Sequence, residues 1–130
     1  MDVAAVLERG RAAAETLMVD ECIIRRRTGE SIGPGGVITP DYETVYQGKC
    51  RMQQPTGTAQ EQESGEANLL LVRYELQLPM EAVGLEPDDE VLMVASVHDP
   101  DVVDREFLIR AVAHKSHAVM RRLQLEERTS

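Results

Sequence analysis

The stretch Leu70-Leu71-Val72-Arg73-Tyr74-Glu75-Leu76-Gln77-Leu78-Pro79 decides the fold. Leu70, Val72, Tyr74, Leu76 and Leu78 alternate with Leu71, Arg73, Glu75 and Gln77, the period of two that marks a half-buried strand. Pro79 has no N–H to continue a ladder, so this strand, roughly 69–78, ends there.

The same period recurs on both sides. Upstream, Cys22 and Ile24 alternate with Ile23, Arg25 and Arg27, and Tyr46, Gly48, Cys50 and Met52 alternate with Gln47, Lys49, Arg51 and Gln53. Downstream, Val91 to Val97 forms a further run behind Glu86-Pro87-Asp88-Asp89, where proline presets a turn dihedral and aspartate can bond its own backbone. Phe107 to Ala113 and Val119 to Glu126 follow as a hairpin around His114-Lys115-Ser116-His117. Ahead of all the strands, Val3, Val6, Leu7, Ala14, Leu17 and Met18 recur at helical steps, with Asp2 available as N-cap, which predicts a helix over 3–18. Glu8 with Arg11 and Arg11 with Glu15 can pair on its other face, while Gly10 weakens it by about 1 kcal/mol relative to alanine.

Two stretches follow neither period. Residues 28–41 hold five glycines and prolines between Gly29 and Gly36, then Pro40, with Ile32, Val37 and Ile38 as the anchors available to tie them down. Residues 55–68 contain nothing large and apolar, so burial cannot offset their ordering entropy. Both are expected to be long polar loops. The fold class that results is mainly β: one N-terminal helix followed by a small antiparallel barrel of about six strands over 21–127, a single domain across 1–130.

Composition sets the outer limits. A chain of 130 residues can bury one core, and with aromatics at 3% and no tryptophan that core must be aliphatic. Twenty-three acidic against fourteen basic residues give a net charge of −9, a surface that repels nucleic acid except where a patch is local. No apolar run approaches the roughly 20 residues that span a bilayer, and residues 1–18 are charged throughout, so a soluble, intracellular protein with no membrane partner is expected. Cys22 and Cys50 lack the spacing of zinc or redox motifs and read as reduced, buried thiols.

Catalytic and ligand-binding readings are weak. His98, Asp99, Asp101 and Asp104, with His114 and His117, could supply metal ligands on paper, yet all sit where turns need polar residues anyway. Gly33-Pro34-Gly35-Gly36 is followed by Val37-Ile38 rather than by the lysine and hydroxyl of a phosphate-binding loop. Neither cysteine has the electropositive surroundings that activate a thiol. No enzyme, metal site or cofactor is expected. Arg25, Arg26 and Arg27 form the basic run, joined by Lys49 and Arg51 on what the pattern makes a paired strand, and this patch is a candidate contact for a partner protein or for phosphate. Without interleaved aromatics it lacks the stacking platform of a single-strand binder.

Read together, the helix end Ala13-Ala14-Glu15-Thr16-Leu17-Met18, then Asp20-Glu21-Cys22-Ile23-Ile24-Arg25-Arg26, then Tyr42-Glu43-Thr44-Val45-Tyr46-Gln47-Gly48-Lys49-Cys50-Arg51 resemble a known family. The second half agrees, with Tyr74-Glu75-Leu76-Gln77-Leu78-Pro79, Pro87-Asp88-Asp89, Asp99-Pro100 with Arg105 and Phe107, and Arg121-Arg122-Leu123-Gln124-Leu125-Glu126-Glu127. The chain is similar to the head-closure, or stopper, proteins that tailed phages place in the head-to-tail connector. That resemblance implies a virion structural protein of the neck, assembled in the host cytoplasm. It would form a homo-oligomeric ring below portal or adaptor, retain packaged DNA without reading its sequence, and dock the tail terminator or tail tube. It also implies that the 55–68 insertion faces the ring's channel, where Glu61, Glu63 and Glu66 would repel phosphate. The alternatives are another storey of the connector, such as an adaptor or tail-completion protein, and an OB-like barrel that binds nucleic acid or oligosaccharide through Arg25 to Arg27.

Overall fold

A computed structural model describes residues 2–54, 60–64, 67–71 and 73–128. Helix α1, Val3–Glu15, begins at Asp2, whose carboxylate accepts from the Ala4 amide at 3.0 Å. It stops short of the expected Met18: after Thr16 the Leu17 and Met18 amides reach back only three residues, to the Ala14 and Glu15 carbonyls at 3.2 and 3.1 Å, and the chain turns into the first strand. Ala14 and Met18 are buried, but Val3, Val6 and Leu17 are exposed, so the apolar stripe of the helix rests on the barrel only at its C-terminal end.

Among the described residues eight strand segments follow: β1 Asp20–Ile32, β2 Ile38–Gln53, β3 Gln60–Ser64, β4 Ala67–Leu71, β5 Arg73–Leu78, β6 Glu90–Ala95, β7 Glu106–Ala113 and β8 Arg121–Glu127. Six of them close into an antiparallel ring in the order β1-β2-β5-β8-β7-β6, the barrel expected from the alternation, and β3 with β4 makes a separate two-stranded sheet. Since every neighbour in the ring is antiparallel, the connections β1–β2, β5–β6 and β7–β8 gather at one end of the barrel.

The inward positions of each strand fill the ring. Cys22, Ile24, Cys50, Leu76, Leu78, Val91, Met93, Phe107, Ile109, Leu123 and Leu125 are fully buried. The core is aliphatic as the composition requires, with Phe107 as its one large ring, meeting Tyr74 edge-on at a centroid distance of 5.1 Å.

The strand expected over 69–78 falls on β4 and β5, which flank Val72, outside the described residues, and β5 is the part that pairs in the barrel. Two expectations are corrected. The region 55–68 is in part strand: β3 pairs with β4 from Gln60↔Leu71 to Ser64↔Ala67, the apolar run of β4 supplying the partner that the polar segment lacks by itself. The region 28–41 is no loop but the end of the long β1–β2 hairpin, in register from Gly29↔Asp41 to Ile32↔Ile38.

Cys22 and Cys50 are free thiols in the core, and the hydrogen bond with Cys22, reinforced by burial, pushes the Cys50 thiol far above its ordinary range. Both should resist alkylation in the folded protein, and after denaturation without reductant mass spectrometry should find two modified thiols. Phe107→Ala should cost about 3–5 kcal/mol in denaturant unfolding, the loss expected for an aromatic ring at a site that cannot collapse.

Candidate functional site

Sheet pairing sets where the barrel ends and something else begins. Among the described residues β6 pairs with β1 along Glu21 to Arg25, and β5 pairs with β2 along Arg51 to Gln53. Beyond Arg25 the two strands of the hairpin have only each other, from Arg26↔Glu43 to Ile32↔Ile38, a two-stranded arm about 20 Å long at the usual rise per residue. Register shifts at Ile24/Arg25 and Arg27/Gly29 bracket its root, the places where a bulge bends and re-aims a ribbon.

The root is held by charge. Arg26 is the next inward position after Cys22 and Ile24, so it stands where the apolar core ends. Its Nε and a terminal nitrogen each donate to Asp89 at 2.9 Å, and the same terminal nitrogen donates to the Gly84 carbonyl at 2.7 Å. Asp89 is only 2% exposed, and its second oxygen also accepts the Glu86 amide at 2.9 Å. The bidentate bond to Asp89 raises Arg26 above its ordinary range and keeps it charged. Beside it, Arg25 donates to the buried Glu90 at 3.0 Å, which Arg128 also pairs, and lies 4.1 Å from the Tyr42 ring centroid.

The tip has no such support. Ile32 is 79% exposed, and Val37 and Ile38 are each 61% exposed, so the residues expected to anchor this stretch anchor nothing in their own chain. The chain reverses through Pro34–Gly36, closed by the Gly33 amide on the Val37 carbonyl at 2.7 Å, and Gly35 and Gly36 take φ of 76° and 78°, which L side chains rarely adopt. Along the arm, Arg27 pairs with Glu30, and the Ser31 hydroxyl donates to Asp41.

The structure does not assemble the expected basic patch. Lys49 stands opposite Glu21, five residues along β2 from the Thr44 that faces Arg25, and binds Glu15 at 2.7 Å. Arg51 reaches Gln77 at 3.4 Å on the neighbouring strand. Arg25, Arg26 and Arg27 all pair with carboxylates of the same chain, so the run that reads as a phosphate contact is spent on holding the arm. Of the channel-facing candidates, Glu61 and Glu63 fall on β3, and Glu66 lies outside the described residues. His98, Asp99 and Asp101 form a turn in which the Asp99 carboxylate accepts the Asp101 amide, and no group of three potential metal ligands gathers among the described residues. Sequence reading missed Asp89 and Glu90 as functional partners and the arm as an element. Ser-Ile and Val-Ile flanking Gly-Pro-Gly-Gly were the hairpin signal.

A family model described as a family of unknown function (DUF6093) matches residues 10–126. No curated protein matches the chain.

If the root is structural and the tip is a contact surface, substitutions should separate them. Asp89→Asn should destabilise the protein by about 2–3 kcal/mol, since it takes the charge and one acceptor oxygen from a buried carboxylate that serves three donors and turns an amide N–H toward them. Ile38→Ser should shift stability by no more than about 0.5 kcal/mol, because the side chain is already in water. Urea unfolding of both variants tests the pair of expectations.

Proposed function

We propose, from the premise that the chain belongs to the DUF6093 family of unknown function, that it is a structural subunit of a closed ring in the head-to-tail connector of a tailed phage. In that place it sits below portal or adaptor, retains packaged DNA and receives the tail. One observation carries the reading: a rigid barrel extends an arm whose apolar tip, Ile32, Val37 and Ile38, is left in water by its own fold. A two-stranded ribbon is marginal in water without a third strand or a packing surface, so such an arm makes physical sense in a protein that completes its structure on neighbours. Heterologous contacts that close by rotation generate rings, which is the architecture a connector needs.

Charge supports the same reading. A subunit of net charge −9, whose basic run is neutralised by Asp89, Glu90 and Glu30, suits a ring through which DNA passes without adhering. An OB-like nucleic-acid-binding barrel needs those arginines free.

The test is the composition and behaviour of particles from a host whose genome carries this gene. Peptides of the chain are expected in purified tailed particles by mass spectrometry. With the gene deleted, heads should fill with DNA, fail to join tails and leak their contents. Tailed, infectious particles formed without it would overturn the proposal.

A further inference from the structure

The arm tip is one of several apolar surfaces that stand in water among the described residues. Another lies beside the β7–β8 connection. Gly10 of α1 sits against Val119 so closely that an added Cβ would come within 2.8 Å of it, and Arg11 Nε donates to the Ala118 carbonyl at 3.2 Å. Val3 and Val6, seven and four residues before Gly10, continue the same helical stripe past this contact and are exposed. At the β7–β8 connection a cleft of about 220 Å³ is lined by Ala113, Ala118, Val119 and Met120 together with Lys115, His117 and Arg122.

The two surfaces differ in charge. Residues 113–122 carry Lys115, Arg121 and Arg122 and no acid, in a chain whose net charge is −9. Lys115 makes no ion pair among the described residues. The arm, residues 26–43, carries Glu30, Asp41 and Glu43 against Arg26 and Arg27; Glu30 pairs with Arg27 and Glu43 stands opposite Arg26, which leaves Asp41 as the acid nearest the tip without a cation beside it. An aliphatic tip with an acid behind it and a partly aliphatic cleft that holds a lysine are complementary in sign.

They do not meet within the chain as folded: Ile32, Val37 and Ile38 stand in solvent. We propose that the arm of one copy seats Ile32, Val37 and Ile38 in the cleft at the β7–β8 connection of a second copy, with Asp41 of the returning strand facing Lys115. Donor and acceptor surfaces differ, so the contact is head-to-tail and each copy uses both. The proposal deepens the ring reading and rests on it for closure of the chain of contacts. The free subunit associates weakly, because a single tip is a small interface.

Cross-linking tests the contact directly. Ile38→Cys and His117→Cys proteins, mixed near millimolar concentration with a bismaleimide, should give a dimer containing one chain of each, the native thiols being buried. A chain carrying both substitutions should give a ladder. Sedimentation should show weak self-association that Lys115→Asp or Asp41→Lys alone reduces about five- to tenfold, and that the two together largely restore. The proposal fails if Ile38→Cys chains join only to each other, if no mixed dimer forms, or if the wild type stays monomeric near millimolar concentration. A ladder from a protein absent from tailed particles would instead sink the connector reading and leave the contact standing.

Discussion

A carboxylate that is 2% exposed is costly unless it is paired and hydrogen-bonded, and Asp89 is met by the bidentate fork of Arg26. Much else follows from that pair. Arg26 occupies the inward position after Ile24, so the bond fixes where the aliphatic core stops and where β1 and β2 leave the barrel as a ribbon. Asp89 also caps the turn from Glu86 that leads into β6. One buried acid therefore couples the closing strand, the barrel mouth and the root of the arm. Lysine at position 26 would keep the charge but lose the two parallel bonds that give direction.

The neighbouring charges extend the same logic outward. Arg25 bridges Glu90 and Glu106 and lies against Tyr42 of the returning strand, while Arg110 bridges Asp88 and Glu126. Exposed pairs of this kind contribute little singly. The pairs of Arg25, at the ribbon's root, hold its orientation rather than the stability of the core, and those of Arg110 tie β7 and β8 to the turn before β6. The division is clear in chemistry: aliphatic side chains inside the ring, charge at its mouth, and aliphatic side chains again at the tip, where nothing in the chain covers them.

The barrel was legible because its strands obey one period and its core obeys one sign of hydropathy. Cys22, Ile24, Leu76, Leu78 and Phe107 fall inward as alternation requires. The arm was not legible for a definite reason. Its strands face water on both sides, so no alternation of apolar and polar residues marks them, and five glycines and prolines between Gly29 and Gly36 resemble a loop. Residues 60–64 were hidden by the same cause, since a polar segment becomes strand only through pairing with Ala67–Leu71. The basic run was read as a contact surface because its partners lie far along the chain: Asp89 and Glu90 stand more than sixty residues from Arg26 and Arg25. Val3, Val6 and Leu17 carry a helical period that promises burial, and the fold delivers it only at Ala14 and Met18.

The central claim is that the arm is an element its own barrel does not support. Amide hydrogen exchange, followed residue by residue in dilute solution and again in the assembled state, measures that support directly. Amides of the arm between Arg27 and Glu43 should exchange orders of magnitude faster than those of Cys22, Ile24 and Leu76 in the free subunit, and should gain protection on assembly. Arm amides as protected in the dilute monomer as the barrel core, and unchanged on assembly, would contradict it.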